Sequence, residues 1–492
     1  MNISYKWLLE YLPCTLSPQE IADTLTSIGL ETGGVEEIET IRGGLRGLVI
    51  GHVLTCEEHP NSDHLHITAV DVGADAPLQI VCGAPNVAAG QKVVVATVGT
   101  TLYHGEEEFA IKKSKIRGVE SFGMICSEVE IGVGSSNDGI IVLPSDAPVG
   151  MPAAEYYHVE SDYCIEVDIT PNRVDATSHY GVARDLAASL KRNGVPAELK
   201  LPEVNLPTDI IDSRIEVKVA DATACPRYQG LVIRDITVGE SPEWLRNRLQ
   251  AIGLRPINNI VDISNYVLHE FGQPLHAFDL AFIKEDRVHV QTVAEGTPFV
   301  TLDGVERKLT AEDLMICDSN GDPMCVAGVF GGLHSGVTEK TKDVFLESAN
   351  FNSTMVRRTA RRLGLNTDSS FRFERGLDPE RTDWALRRAA SLILEITGGR
   401  LGGMTDVYPN PLKPHQICLS FEKVNSVIGR TIEPETVRSI LDSLEIHISK
   451  EEDGVMTLEV PRYRTDVTRD VDVIEEIMRI YGYNQVELTG YI

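Results

Sequence analysis

The sequence predicts a multidomain α+β protein, and three observations carry that reading. At 492 residues the chain is too long for one hydrophobic core, which points to about three to four domains. Helices with clear entry signals stand on either side of a glycine-broken, β-rich region at 45–143. Two proline-bearing stretches, "GVPAELKLPEVNLPTD" at 194–209 and "YPNPLKPHQ" at 408–416, read as linkers.

The first helix begins at Ser17, an N-cap, with Pro18 at the first helical position and Glu20 completing a capping box. Ile21, Leu25 and Ile28 line one face and Gly29 ends it. "SPEWLRNRLQAIGLR" (241–255) repeats the design with Leu245, Leu249 and Ile252, and "EPETVRSILDSLEI" (433–446) is a looser version. Between them, "LVIGHVL", "LHITAVDV", "LQIVCG" and "KVVVATVG" are short strands at regular spacing, the pattern of a small barrel or sandwich. Helices are predicted at about 178–192, closed by Gly194, and at about 380–397, ending in "TGGR". From 210 to 400 strands and helices mix. Beyond the second linker a unit of strand, helix, hairpin and helix with a winged-helix flavour runs to about 482.

Composition narrows the class. No run of 18 apolar residues exists, so no membrane span is expected, and the start lacks a secretory pattern. Nine scattered cysteines without a CxxC suit free thiols in a reducing cytoplasm. A formal charge of −28 repels a polyanion at long range, so nucleic acid must meet local basic patches, and nothing argues for DNA. The candidates are "KKSKIRG" (112–118) and "RRTARRLG" (357–364), each of which is on its own also a solvated face.

Three motifs allow two readings apiece. His276 in "GQPLHAFD" is either a packed core histidine or a cavity group. Glu347 in "FLESANF" is either the solvent side of an alternating strand or a carboxylate committed to a partner. Asp472, Glu475 and Glu476 crowd the first turns of a helix expected to start near Asp470; with Asp466 they either complement the helix dipole or supply the oxygen ligands that Mg²⁺ favours.

"HPNSDHLHITAVDVG", "VCGAPNV" and "SFGMICSEVE" resemble the tRNA-binding oligonucleotide-fold (OB-fold) domain of some synthetases. "LRPINNIVDISNYVLHEFGQPLHAFD", "AGVFGG", "FLESANF" and "SSFRFERGLDPE" resemble the beta subunit of bacterial phenylalanyl-tRNA synthetase, and "VPRYRTDVTRDVDVIEEIMRIYGYN" is similar to its B5 module. The resemblance implies an N-terminal module at 1–40 with 152–200, an OB-fold barrel at 41–151, a B3/B4 editing domain at 210–400 and a B5 module at 408–484. Residues 485–492 are then the tail of a truncated chain. It also implies a cytoplasmic α2β2 heterotetramer in which the alpha subunit, a class II synthetase, binds ATP and charges tRNA(Phe). The beta subunit supports it and hydrolyses Tyr-tRNA(Phe). "FRFERG" has a superficial likeness to a class II motif, but no class II synthetic set stands around it.

The implied editing residues are His276, Glu347, Ser264, Asn265, Pro274, Gly328, Gly331 and Gly332. Glu347 would accept from tyrosine's phenol, His276 would orient water or ester, and the glycines would bring main-chain N–H groups close. Ser264 stands where the family often has threonine. Asp466, Asp472, Glu475 and Glu476 match a Mg²⁺ site shared with the alpha subunit, and Lys112, Lys113, Lys115 and Arg117 are the expected phosphate contacts. The chemical need is plain: an apolar slot rejects an added hydroxyl by only about a hundredfold, whereas a site that requires the hydroxyl discriminates on the order of 10⁴. The alternatives are a tRNA-docking scaffold with an inert pocket and a free-standing regulatory homologue.

Overall fold

The computed structural model describes residues 1–104, 107–134, 136–159 and 161–486, so most of the expected tail, 487–492, lies outside the described residues. The chain forms two compact units, Glu37–Asp162 and the remainder.

In the smaller unit five antiparallel strands run in the order Gly123–Ile125, Lys92–Thr97, Leu48–Glu58, His66–Asp71 and Leu78–Cys82. Alternation sorts their side chains. Val53, Val70, Ile80, Val93 and Val95 fill one side, while Leu48, Ile50, Val94 and Ala96 pack on the other. Gly51 lets side chains of the two neighbouring strands close over the long strand, since a Cβ there would lie 2.8 Å from Val70 and Val95 methyls. Phe122 N–H donates to Gln79 O (2.9 Å) and Val81 N–H to Ser121 Oγ (3.1 Å), so the first and last strands meet and nearly close a barrel.

In the larger unit an antiparallel sheet carries the site. Its strands are β1 (Arg227–Arg234), β2 (Leu275–Asp279), β3 (Val344–Asn350) and β4 (Arg400–Val407), in the order β2-β3-β1-β4. One face, with Leu231, Ile233, Val344, Leu346 and Ala277, packs on α1 (Asn259–Phe271) and α2 (Arg381–Thr397). The other, with Tyr228, Val232, Phe278 and Phe345, packs against Val288, Val290, Met315 and Val326 of a second, five-stranded sheet. Both faces are buried, which is why "VFLESAN" is buried at every position.

The helix Pro18–Ser27 has the predicted capping box: Glu20 N–H donates to Ser17 Oγ (3.3 Å) and Ser17 N–H to Glu20 Oε2 (2.8 Å). Ser17→Ala should lower amide-exchange protection in that first turn about fivefold, with unchanged exchange contradicting the capping role. The expected repeats of this entry differ. Ser241 does not cap its helix; its hydroxyl bonds Asp262 Oδ2 (2.5 Å), and the helix runs Glu243–Ala251 from an uncapped Pro242. The third, Pro434–Ser443, likewise has no side-chain cap.

The C-terminal strands His415–Ser420, Val455–Val460 and His447–Glu452 form a three-stranded sheet with helices Phe421–Ile428, Pro434–Ser443 and Asp470–Tyr481. Its core is continuous with that of the N-terminal helices. Among the described residues no helix is long and apolar enough to cross a membrane, and all nine cysteines are free thiols.

Candidate active site

Antiparallel pairing brings distant residues together. His276 of β2 lies directly opposite Glu347 of β3, and Glu347 opposite Gly230 of β1. Opposed residues share a face, so Tyr228, Glu347 and His276 all point toward the second sheet. The polypeptide enters β2 through a fixed turn. Gly272, at φ +84°, caps α1, and the Gln273 amide donates to Ala349 O (2.8 Å) and Pro274 O (3.1 Å).

There a cavity of ≈ 290 Å³ opens. Ser264, Asn265, Pro274, His276, Gly328, Gly331 and Glu347 line it, seven of the eight candidates. Leu268, Leu302, Phe330 and Phe373 supply apolar walls, and Thr367, Asp368 and Ser369 a polar rim. Gly332 is the exception. A Cβ there would lie 2.5 Å from Met324 O and 2.8 Å from Phe299 Cζ, so its smallness serves packing between strands, outside the cavity wall. Gly328, at φ +69°, leaves room for Phe373 and Phe351, and Gly331 admits the imidazole, since a Cβ would sit 3.1 Å from His276 Cε1.

Electrostatics separates the two central groups. Burial pushes the Glu347 carboxyl up to about 7, opposed by the Tyr228 hydroxyl, which donates to Oε2 at 2.6 Å. Burial lowers His276 to about 4, so the ring is neutral at pH 7. Its Nε2 is buried and finds no hydrogen-bond partner among the described residues, an orphaned polar atom in a cavity wall. Ser264 Oγ donates back to Ile260 O (3.1 Å), which leaves its lone pairs available. The site can thus seat an aromatic-sized group, accept a hydroxyl at Glu347 and hold a water or polar ligand atom at His276.

Family models match the three regions: a B3/4 domain at 224–398, which contains this cavity, a putative tRNA binding domain at 48–152 and a tRNA synthetase B5 domain at 417–483. The chain is 97% identical over all 492 residues to the phenylalanine–tRNA ligase beta subunit of Porphyromonas gingivalis, covering 60% of that protein. Along its whole length the chain is similar to phenylalanine–tRNA ligase beta subunits. The Bacteroides fragilis subunit is 62% identical over 99% of this chain, which again covers 60% of it. The chain therefore spans about three-fifths of the length of the curated relatives it matches. A solved N-terminal fragment of the Pyrococcus horikoshii beta subunit covers 65% of this chain and 87% of its own at 16% identity, with a TM-score of 0.34, too low to bear on the site.

The four expected magnesium ligands are not gathered as free donors. Glu476 is buried between Arg464 and Arg479, whose guanidinium groups hold its carboxyl well below the usual range against the cost of burial. Asp466 accepts from Arg464 Nε and Nη2, both at 3.1 Å. Asp472 caps its helix by accepting from Arg469 N–H (2.8 Å) and is bridged by that guanidinium. Glu475 is exposed. Among the described residues no group of three or more His, Cys, Asp or Glu is placed to hold a metal ion. As they stand these residues do not fit a four-carboxylate site, because three of them neutralise arginines.

On the barrel unit Lys112, Lys113, Lys115 and Arg117 are exposed around the strand Ser114–Ile116. Lys113 is engaged by Glu120 (2.9 Å) and Arg117 donates to Asn61 O (3.1 Å). Residues 357–364 fall on the helix Ser353–Leu363 and its Gly364 cap, with Arg362 paired to Asp313.

Proposed function

We propose that the cavity in the B3/4 region is a proofreading site that hydrolyses tyrosine wrongly joined to tRNA(Phe). The chain would belong to a subunit that also docks the tRNA and supports a catalytic, ATP-using alpha subunit in an α2β2 assembly. The observation that supports this best is the cross-strand pair His276–Glu347 facing one aromatic-sized hollow. Tyrosine differs from phenylalanine by the hydroxyl that a buried carboxylate accepts, and phenylalanine would leave that carboxylate without its second partner. Neutral His276 offers Nε2 to a water or to the ester. The water oxygen adds to the ester carbonyl, the bond to the ribose oxygen breaks, and the water's proton ends on that leaving oxygen. The imidazole acts by positioning these groups. The exposed Lys112 and Lys115 would contact phosphates, giving weak, salt-sensitive docking.

His276→Ala tests this in the full-length subunit assembled with its alpha partner. Deacylation of Tyr-tRNA(Phe) is expected to fall about 10- to 100-fold while aminoacylation with phenylalanine is retained. Absence of hydrolysis by the unaltered assembly would leave the inert scaffold.

A further inference from the structure

Nothing in the sequence singles out Tyr228, yet it makes the one side-chain hydrogen bond that Glu347 has among the described residues. It is fully buried and sits on β1, one strand away from Glu347 and two residues before Gly230. That glycine matters to the arrangement: a Cβ would lie 2.0 Å from Phe345 Cζ, so only glycine lets the Phe345 ring lie across β1 at this point. A buried tyrosine that must satisfy its hydroxyl could have reached a backbone carbonyl. Here it donates to a carboxylate that lines the cavity.

We propose that Tyr228 is a positioning residue that pins Oε2 of Glu347, so that Oε1 alone is offered to a ligand's hydroxyl from a fixed direction. The ligand's identity as a tyrosyl ester rests on the function proposed above; the pinning does not. A carboxylate free to rotate would meet a para- or a meta-hydroxyl through either oxygen. A pinned one reads a single direction, at the price of leaving just two lone pairs for the substrate. The bond also opposes the desolvation that favours the protonated form. The other ionisable groups that act on or face this carboxylate are His276 across the strand pair, Asp368 on the rim of the same cavity and the thiols of Cys225 and Cys325; among the described residues no guanidinium or ammonium contributes to its ionisation.

The test compares Tyr228→Phe, Glu347→Gln and the double variant with the unaltered protein. Glu347 titration is followed in ligand-free protein by difference infrared spectroscopy of the carboxylate band, with Glu347→Gln as the subtraction reference. Tyr228→Phe is expected to move the midpoint upward, shifting the ionised-to-protonated ratio about tenfold at fixed pH. In the full assembly, the ratio of Tyr-tRNA(Phe) to Phe-tRNA(Phe) deacylation is expected to fall about tenfold and its pH profile to move upward, with no further loss when Glu347→Gln is added. An unmoved infrared midpoint overturns the inference whatever the deacylation result. A moved midpoint in a protein with no deacylation at all supports the pinning and counts against the proofreading reading instead. Lower thermal stability with unchanged midpoint and ratio would make Tyr228 merely structural, which also overturns it.

Discussion

Glu347→Ala is expected to lower deacylation of Tyr-tRNA(Phe) about a hundredfold and to bring the tyrosyl and phenylalanyl rates close to each other. The variant removes the cavity-wall carboxylate that lies opposite His276, and it also leaves the buried Tyr228 hydroxyl without its acceptor. Single-turnover deacylation measures the effect, and a variant retaining more than about a third of the rate would contradict the assignment. The pH dependence stems from the same group. Deacylation should rise as Glu347 ionises through about pH 7, whereas His276, lowered to about 4, is neutral throughout and adds no limb above pH 5. Stability runs the other way. With the folded carboxyl raised above its ordinary value of 4.5, the stability linked to this site is fully present below about pH 4.5 and is lost as pH rises through 7. Glu347→Gln should flatten that slope.

Glu476→Ala is expected to cost about 3 kcal/mol of unfolding free energy, because it takes a shared carboxylate from two buried guanidinium groups and leaves Arg464 to Asp466 and Arg479 to Asp185. The network extends far: Arg479 also holds Asp185 (2.8 Å) and Ile28 O (3.1 Å), and Arg173 bridges Asp185 (2.6 Å) to Asp175 (3.0 Å). The C-terminal helix Asp470–Tyr481 is thereby tied to the helix His179–Arg192 and to the end of Pro18–Ser27. Since Glu476 is held below the usual carboxylate range, its contribution is present above about pH 4.5 and is lost as pH falls through the lower folded value. Denaturant unfolding checks the loss. A metal ligand would behave otherwise: Mg²⁺ would then stabilise the unaltered chain and the Glu476→Ala chain unequally, whereas the arginine pairing predicts no such difference.

Local signals reach some features and not others. Ser17, Pro18 and Glu20 lie within four positions, so their capping box is legible in the sequence. Ser241 looks the same, but Asp262, 21 residues on, takes its hydroxyl, a tertiary competitor that no local pattern reveals. "FLESANF" and "PLHAFD" both alternate in ways that fit strands, yet their register, which sets His276 against Glu347, emerges only when β2 and β3 pair. Tyr228 is hidden for a related reason: in "RYQGLVI" it reads as an ordinary aromatic on a buried strand, and its carboxylate partner is 119 residues away. Gly332 groups with Gly331 because neighbouring glycines look alike in sequence, although Gly331 ends its strand against His276 and Gly332 packs on Met324 and Phe299. In the acidic set, carboxylate spacing alone does not reveal the arginine pairing; Arg464, Arg469 and Arg479 stand within a few residues and pair with Asp466, Asp472 and Glu476.

The most direct test of a phenol-sensing proofreading cavity is the ratio of deacylation rates for Tyr-tRNA(Phe) and Phe-tRNA(Phe) in the full assembly at pH 8, where Glu347 is mostly ionised. A ratio on the order of 10⁴ that collapses in Glu347→Ala is the predicted result. Equal rates in the unaltered protein, or a high ratio that survives the loss of Glu347, would contradict it.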